Sequence, residues 1–272
     1  MGATCQGQSV AGVLSQSSSL GLPLGGVPAS YLERVRAAPP ELPAMEIVTP
    51  KLGIVSKQLD LPGRPFYVGE MKEGRPEGVG LIIFQDGSYY EGQFVGGMAH
   101  GQGRFIESGG RSYQGGFDTD QAEGWGIQVG PEGEVYRGEW HKDLPHGRGV
   151  EKWPDGACYR GNYVNGRKEG QGQFIFSLDE SYKGEFKADQ INGDGLYHFP
   201  DGNVYKGSFV NGLKEGKGEI FEKAGGYFLG QFAADEKHGK GVVKARSGPH
   251  IEQIWESGAC KVASIKKPID FV

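Results

Sequence analysis

Large apolar side chains recur in this chain every 23 positions. Tyr67, Tyr90, Tyr113, Tyr136, Tyr159, Tyr182, Tyr205, Phe228 and Ile251 stand in one phase. A glycine follows two residues after each of the first eight, from Gly69 to Gly230, and the ninth has Gln253 there. Two residues further comes another large side chain: Met71, Phe94, Phe117, Trp140, Tyr163, Phe186, Phe209, Phe232 and Trp255. Positions one, three and five of such a run share one face of a strand, because successive side chains alternate. The positions between them are polar, as with Arg137 and Glu139 or Lys183 and Glu185, so the run reads as a half-buried strand. A second strand follows. It opens on Gly-x-Gly and continues with β-forming residues, as in Gly78-Val-Gly-Leu-Ile-Ile-Phe84, Gly172-Gln-Phe-Ile-Phe176 and Gly195-Leu-Tyr-His-Phe199. Asp-Gly or Glu-Gly then leads to the next tyrosine, at 86–87, 132–133, 155–156 and 201–202, which favours a tight hairpin turn with positive φ.

Two strands per repeat and no helical period predict an all-β chain. The expected architecture is an elongated single-layer antiparallel β-ribbon solenoid of about eight two-stranded units over residues 67–255. About sixteen strands at ~4.8 Å give a ribbon of roughly 75–80 Å. A glycine in a strand marks a bulge or a close approach. Here the Gly-x-Gly pairs leave a trough that rings of neighbouring strands can lie across, stacking as a ladder.

Tyr136-Arg-Gly-Glu-Trp140, His146-Gly-Arg-Gly149 and Asp155-Gly156 together form the fullest repeat, and Tyr205-Lys-Gly-Ser-Phe209 with Gly216 and Gly218 is nearly as complete. These motifs resemble the MORN family (membrane occupation and recognition nexus), over residues 67–255. Two repeats depart from the pattern: Asp179 replaces the turn glycine, and Ser108-Gly-Gly110 replaces Asp-Gly. The resemblance implies an elongated ribbon that binds proteins or membranes; it does not imply catalysis, and no cofactor is expected.

Outside the repeats, residues 1–43 are rich in Ser, Gly and Gln at the start and read as a disordered tail. Residues 44–66 turn apolar again and read as a capping segment, since the open end of a stacked array needs cover. Residues 256–272 read as a C-terminal cap or tail. The three cysteines, Cys5, Cys158 and Cys260, are far apart, which argues against a disulfide framework or zinc site and fits a reducing cytosol. Net charge is −5. Residues 1–66 hold five basic and four acidic side chains, leaving 24 against 30 in the remainder. An acidic array gains little from an anionic membrane surface and is unsuited to nucleic acid.

Glycine strings such as Gly101-Gln-Gly103 lead into strands, not helices, so they are not phosphate loops. His100, His146 and His238 share one repeat position with Glu77, Glu123, Glu169, Glu215 and Asn192. Equivalent positions lie two strands apart, roughly 10 Å, too far for one metal ion, and a polar loop end bonding the turn is expected instead. The rings Trp140, Tyr163, Phe186 and Phe209 are the candidate partner-binding residues, because a single layer has no second sheet to cover them. The expected function is a non-enzymatic scaffold. It would dock protein partners, as a helix or an extended peptide laid on the ribbon or as a second copy in a homodimer, at a cytoplasmic membrane or a cortical or ciliary cytoskeleton. The alternative is direct binding of acidic phospholipid by the repeats.

Met1-Gly-Ala-Thr-Cys5 adds candidate lipidation sites: Gly2 for myristate and Cys5 for palmitate, although Gln6 stands where the myristoylation pattern wants Ser or Thr. One myristoyl chain binds membranes only marginally, about 10⁴ M⁻¹, so a stable anchor needs the second chain. Cys5→Ser is expected to leave a protein that samples membranes reversibly, and Gly2→Ala to release it to the cytosol. Fractionation of C-terminally tagged variants reads this out. An unmodified N-terminus by intact mass, or a membrane fraction unchanged by Gly2→Ala, would remove the anchor.

Overall fold

The computed structural model describes residues 51–265 without a break, together with 20, 22, 24, 27–32 and 38–45. Among the described residues, one helical turn, α1 (Ala29–Leu32), interrupts a chain otherwise built of antiparallel strands and turns. The chain forms two compact units, Met1–Pro145 and His146–Val272. In the first, β1 (Ile54–Gln58), β2 (Phe66–Lys72), β3 (Arg75–Ile83), β4 (Tyr89–Val95), β5 (Met98–Ile106), β6 (Ser112–Asp118), β7 (Gln121–Val129) and β8 (Val135–His141) each pair with the next. The second is a like meander. From Gly147 onward, β9 (Leu144–Lys152) pairs with β10 (Cys158–Val164). There follow β11 (Arg167–Ser177), β12 (Glu180–Lys187), β13 (Gln190–His198), β14 (Val204–Val210), β15 (Leu213–Glu222), β16 (Gly226–Ala233), β17 (Glu236–Ala245), β18 (His250–Glu256) and β19 (Ala259–Ile265).

The two glycines of Gly-x-Gly have different tasks. The first has positive φ, as at Gly101 (63°) and Gly193 (83°), and the register slips beside it, between Gly92 and Gln93 and between Gly184 and Phe186. It is a bulge. The second faces the glycine of the preceding strand, as Gly103 faces Gly92 and Gly195 faces Gly184. Across such a pair lies an aromatic ring, a tyrosine or at Gly230 and Gly241 Phe228, and it belongs to the first strand of the same repeat, not to a neighbouring repeat. A Cβ on Gly195 would stand 2.5 Å from Tyr182 Cζ, and one on Gly172 would stand 2.5 Å from the Tyr159 hydroxyl and 2.7 Å from its ring.

The Asp-Gly and Glu-Gly steps form the expected hairpin turns with positive φ. At Asp86-Gly87, Gly133, Gly156 and Gly202, positive φ falls on the glycine alone. Gly87 N–H donates to Phe84 O, and Phe84 N–H donates to Ser88 O, which makes a type I turn closed by a left-handed glycine. The two-residue turns with both φ positive lie at the other end of each repeat: Glu73-Gly74, Gly96-Gly97, Thr119-Asp120, Lys142-Asp143, Asn165-Gly166, Ala188-Asp189, Asn211-Gly212, Ala234-Asp235 and Ser257-Gly258. A residue with a side chain loses about 1–2 kcal/mol in that conformation. The aspartates offset it. Asp120 N–H donates to Ala99 O (3.0 Å), and its carboxylate accepts from Ala99 N (2.7 Å). Asp143 does the same with Ala122, Asp189 with Lys168 and Asp235 with Lys214. Each turn is thereby stapled to the preceding repeat.

The flanks are more ordered than the sequence suggests. Leu20, Leu22, Val27, Tyr31 and Leu42 pack with Phe66, Val68, Val79, Leu81, Ile83, Tyr89, Ile106 and Val129 in one buried cluster. The cover of the first unit thus begins well upstream of residue 44, inside the segment read as a disordered tail. The composition hides a few leucines, which meet a preformed apolar sheet face. The buried Glu70 carboxylate ties the cap down by accepting from Lys51 N, Leu52 N (2.5 Å) and Val79 N. At the other end β19 completes a ninth hairpin with β18 within the segment read as a cap or tail. Gly2, Cys5 and residues 266–272 lie outside the described residues.

The glycine requirement can be measured. An added Cβ at Gly184 would sit 2.5 Å from Asp194 O and 2.6 Å from Gly195 Cα, beneath the Tyr182 ring. Gly109 has open space and no positive φ. Gly184→Ala is expected to lower unfolding free energy in a urea titration by about 3 kcal/mol, and Gly109→Ala by no more than about 0.5 kcal/mol. Equal effects would show that the ring does not dictate the glycine.

Candidate functional site

The ladder comes first because it fixes what is left exposed. Each repeat tyrosine points its hydroxyl at the carbonyl three residues on: Tyr90 to Gln93 (2.9 Å), Tyr182 to Glu185 (3.0 Å) and Tyr205 to Ser208 (3.0 Å), with Tyr67, Tyr113, Tyr136 and Tyr159 alike. The large residue two beyond the glycine meets the tyrosine ring of its own repeat and that of the repeat before. Phe186 stands 5.2 Å from Tyr182 at 82° and 5.0 Å from Tyr159 at 85°. Phe209 makes the same two contacts with Tyr205 and Tyr182, at 5.1 and 5.3 Å. These are edge-to-face pairs, each adding about 0.5–1.5 kcal/mol beyond burial.

The four rings singled out in the sequence are members of this ladder. In the first unit Trp140 meets Tyr113 and Tyr136, and in the second Tyr163, Phe186 and Phe209 meet their tyrosines. All four are only 3–5% exposed, so each offers a partner little surface of its own. The polar position before Gly-x-Gly caps the turns: Glu77, Glu123, Glu169 and Glu215 accept from Gly96 N, Lys142 N, Ala188 N and Ala234 N. Among the described residues, no three His, Cys, Asp or Glu side chains converge where a metal ion could sit.

The same sheet face carries a second set of rings, two and four residues after the paired glycine. In the second unit five of them, all half-buried, form a continuous row. Trp153 stacks on Phe174 (5.4 Å, 21°), Phe174 on Phe176 (4.4 Å, 23°) and Phe176 on Tyr197 (5.9 Å, 27°), and Tyr197 leans on Phe199 (4.7 Å, 36°). Tyr197 is oriented by its hydroxyl, which donates to Glu180 at 2.6 Å. Lys168 Nζ lies 5.1 Å from the Trp153 ring and Lys214 Nζ 5.4 Å from that of Phe199, cationic contacts at the two ends. Leu178, on the turn beyond Phe176, is fully exposed. In the first unit the equivalent face is a cleft of about 530 Å³ lined by Ile82, Phe84, Phe105, Gln128 and Trp140 among others. The sequence carried a signal for the row: aromatic residues recur in phase at 174 and 197 and at 153, 176 and 199. Phe174, Phe176, Tyr197 and Phe199 also fit the β-forming run of the second strand.

With this geometry in place, the family comparison is direct. Residues 67–89, 90–111, 136–158, 159–177, 182–204, 205–220 and 228–248 match the MORN repeat, more than half of the chain. The chain belongs to the MORN repeat family. Residues 113–135 fall between matched segments, yet Tyr113 keeps the carbonyl bond and both ring contacts. No curated protein matches the sequence. Similar solved structures include the wild-type TCP10 domain of Danio rerio CPAP, 9% identical with a TM-score of 0.42, covering 77% of this chain and 100% of that one. The G-box domain of the microcephaly protein CPAP is 12% identical with a TM-score of 0.44, covering 70% and 99%. Likenesses this distant bear on neither function nor partner.

Burial raises the hydroxyl pKa of the ladder tyrosines, to about 12 for Tyr182 and Tyr205, with the carboxylates of Asp194 and Asp235 adding to it at Tyr205. A raised pKa means the neutral phenol is favoured by folding. The stability it contributes is complete below the unfolded value near 10 and is lost as pH rises through about 12. Urea midpoints are expected to be flat up to pH 10 and to fall steeply between 10 and 12, with tyrosinate absorbance appearing together with loss of near-ultraviolet dichroism. Tyrosinate formation in a chain that stays folded would contradict this.

Proposed function

We propose that this MORN protein is a non-enzymatic scaffold that docks partner proteins on the stacked row Trp153–Phe174–Phe176–Tyr197–Phe199. The observation that carries this reading is the row itself. Five aromatic rings in line are left half-open, while the ladder on the same face is closed. Binding energy in protein interfaces concentrates in aromatic anchors of this kind. Tyr163, Phe186 and Phe209 then serve as packing support beside the row, and Trp140 has the same structural role within the first unit.

We place the scaffold at a cytoplasmic membrane or at a cortical or ciliary cytoskeleton, reached through the N-terminal lipid sites or through a bound protein. Among the described residues no helix is long and apolar enough to cross a membrane. Direct binding of acidic phospholipid is the weaker reading, because the chain beyond residue 66 is net acidic.

Phe176→Ala with Tyr197→Ala is the test, made in the full chain. The variant is expected to keep its strand signature by circular dichroism and to lose a protein captured by the wild type. Phe186→Ala, by contrast, is expected to cost about 3–5 kcal/mol of stability. Flotation with phosphatidylserine vesicles is expected to show no binding by protein made without acylation. A folded row variant that keeps every partner would make the row purely structural.

A further inference from the structure

Resting on the docking role just proposed, we infer that the row in the second unit takes a proline-rich segment in the polyproline II conformation. The segment would carry basic residues between its prolines and run along the row, across the strands.

The first reason is pitch. Equivalent rings in successive repeats are two strands apart, about 9.6 Å at ordinary strand spacing. Polyproline II returns to the same face every three residues at ~3.1 Å each, about 9.3 Å. An α-helix presents one face every seven residues, about 10.5 Å, and slips by nearly 1 Å per repeat. An extended strand returns at about 6.8 Å or 13.6 Å and matches neither. The row has relief at this same period. Rings within a repeat are close, 4.4 Å for Phe174–Phe176 and 4.7 Å for Tyr197–Phe199. The wider gaps fall between repeats, 5.4 Å at Trp153–Phe174 and 5.9 Å at Phe176–Tyr197.

The second reason is desolvation. A partner laid on half-buried rings must leave its backbone N–H groups paired or absent. The row face offers ring surface and few acceptors, and proline has no N–H to satisfy. Polyproline II is also already extended, so little ordering entropy is lost on docking.

The third reason is charge. The turns that follow the row strands carry Asp155, Asp179 and Asp201, one per repeat, along one flank. All three are exposed. Basic residues between the prolines would face this acidic flank at the same period, while Lys168 and Lys214 keep the two ends of the row cationic and favour uncharged residues there.

The probe is a twelve-residue peptide of four Pro-Lys-Ala triplets, titrated into the full chain by calorimetry. Its control has the same twelve residues with irregular proline spacing. A second control is a helical Leu-Lys peptide of equal charge. The regular peptide is expected to bind at least about ten-fold tighter than either control. Phe176→Ala is expected to reduce its affinity at least about ten-fold, and Tyr197→Phe to leave it within two-fold of wild type. Should Phe176→Ala fail to fold, Phe199→Ser on the same row serves instead. Equal binding of regular and irregular peptides, tighter binding of the helix, or indifference to folded row variants would each overturn the polyproline ligand. If the row variants lose the cellular partner while the regular peptide binds no better than its controls, the docking role stands and the polyproline ligand falls.

Discussion

A tyrosine ring lying flat over two facing glycines is the contact on which the rest of this molecule depends. At Tyr182 the ring covers Gly184 of its own strand and Gly195 of the next, so closely that neither position has room for a Cβ. The ring seals the trough, and its hydroxyl closes on Glu185 O. This single contact fixes three things: which residues of two strands face each other, where the register must slip, and where the following large residue lands. The slip is the bulge at Gly193, and the large residue is Phe186. Phe228 holds the same place over Gly230 and Gly241 without a hydroxyl, so ring shape rather than the hydrogen bond is the requirement.

Stability then propagates from repeat to repeat by two devices. One is the ladder, in which each large residue is shared between two tyrosines. The other is the turn aspartate, which bonds both backbone groups of a residue 21 positions earlier. The aspartate makes good the strain of a left-handed residue with a side chain. Where glycine occupies that place, as at Gly97 and Gly212, the strain is absent and only the backbone bond to Pro76 O or Ile191 O remains. Both solutions meet the same need, which is to hold one hairpin tip against the last.

The repeat, its two strands and the trough beneath the rings were legible in the sequence, because they rest on fixed spacing from Tyr67 to Trp255. The division of labour within Gly-x-Gly was not, since a bulge and a close approach both ask for glycine. The turn staples escaped because Asp120, Asp143, Asp189 and Asp235 look like ordinary solvent-facing acids. The cover formed by Leu20, Leu22 and Val27 was hidden by composition: a few apolar residues in a Ser- and Gly-rich segment suffice when a sheet face already waits for them. The row was missed for another reason. Phe174 and Phe176 satisfy a strand pattern so well that nothing in the spacing marks them as half-open.

That last miss points to how such a fold carries specificity. The tyrosine, the paired glycines and the shared ring are required by the stack and can vary little without breaking it. The positions two and four residues after the paired glycine face the same way and only lean on the edge of this packing, as Phe174 does on Tyr159 (6.2 Å) and Tyr197 on Tyr182 (6.3 Å). They read Ile82 and Phe84, then Phe105 and Glu107, then Gln128 and Gly130, then Glu151 and Trp153. Phe174 and Phe176, Tyr197 and Phe199, Ile220 and Glu222, and Val243 and Ala245 complete the series. A side chain chosen there changes what the surface offers without changing the register beneath it. Stacked aromatics are confined to three consecutive repeats of the second unit, and the stack itself gives no reason for that confinement. In the first unit the opposite face is closed by the N-terminal cover, which buries Ile83, Ile106 and Val129. In the second unit the corresponding Ile175 and Phe221 remain exposed. The energy that holds the sheet together is thus concentrated in the ladder, and the residues that only lean on its edge are the ones left half-open to a partner.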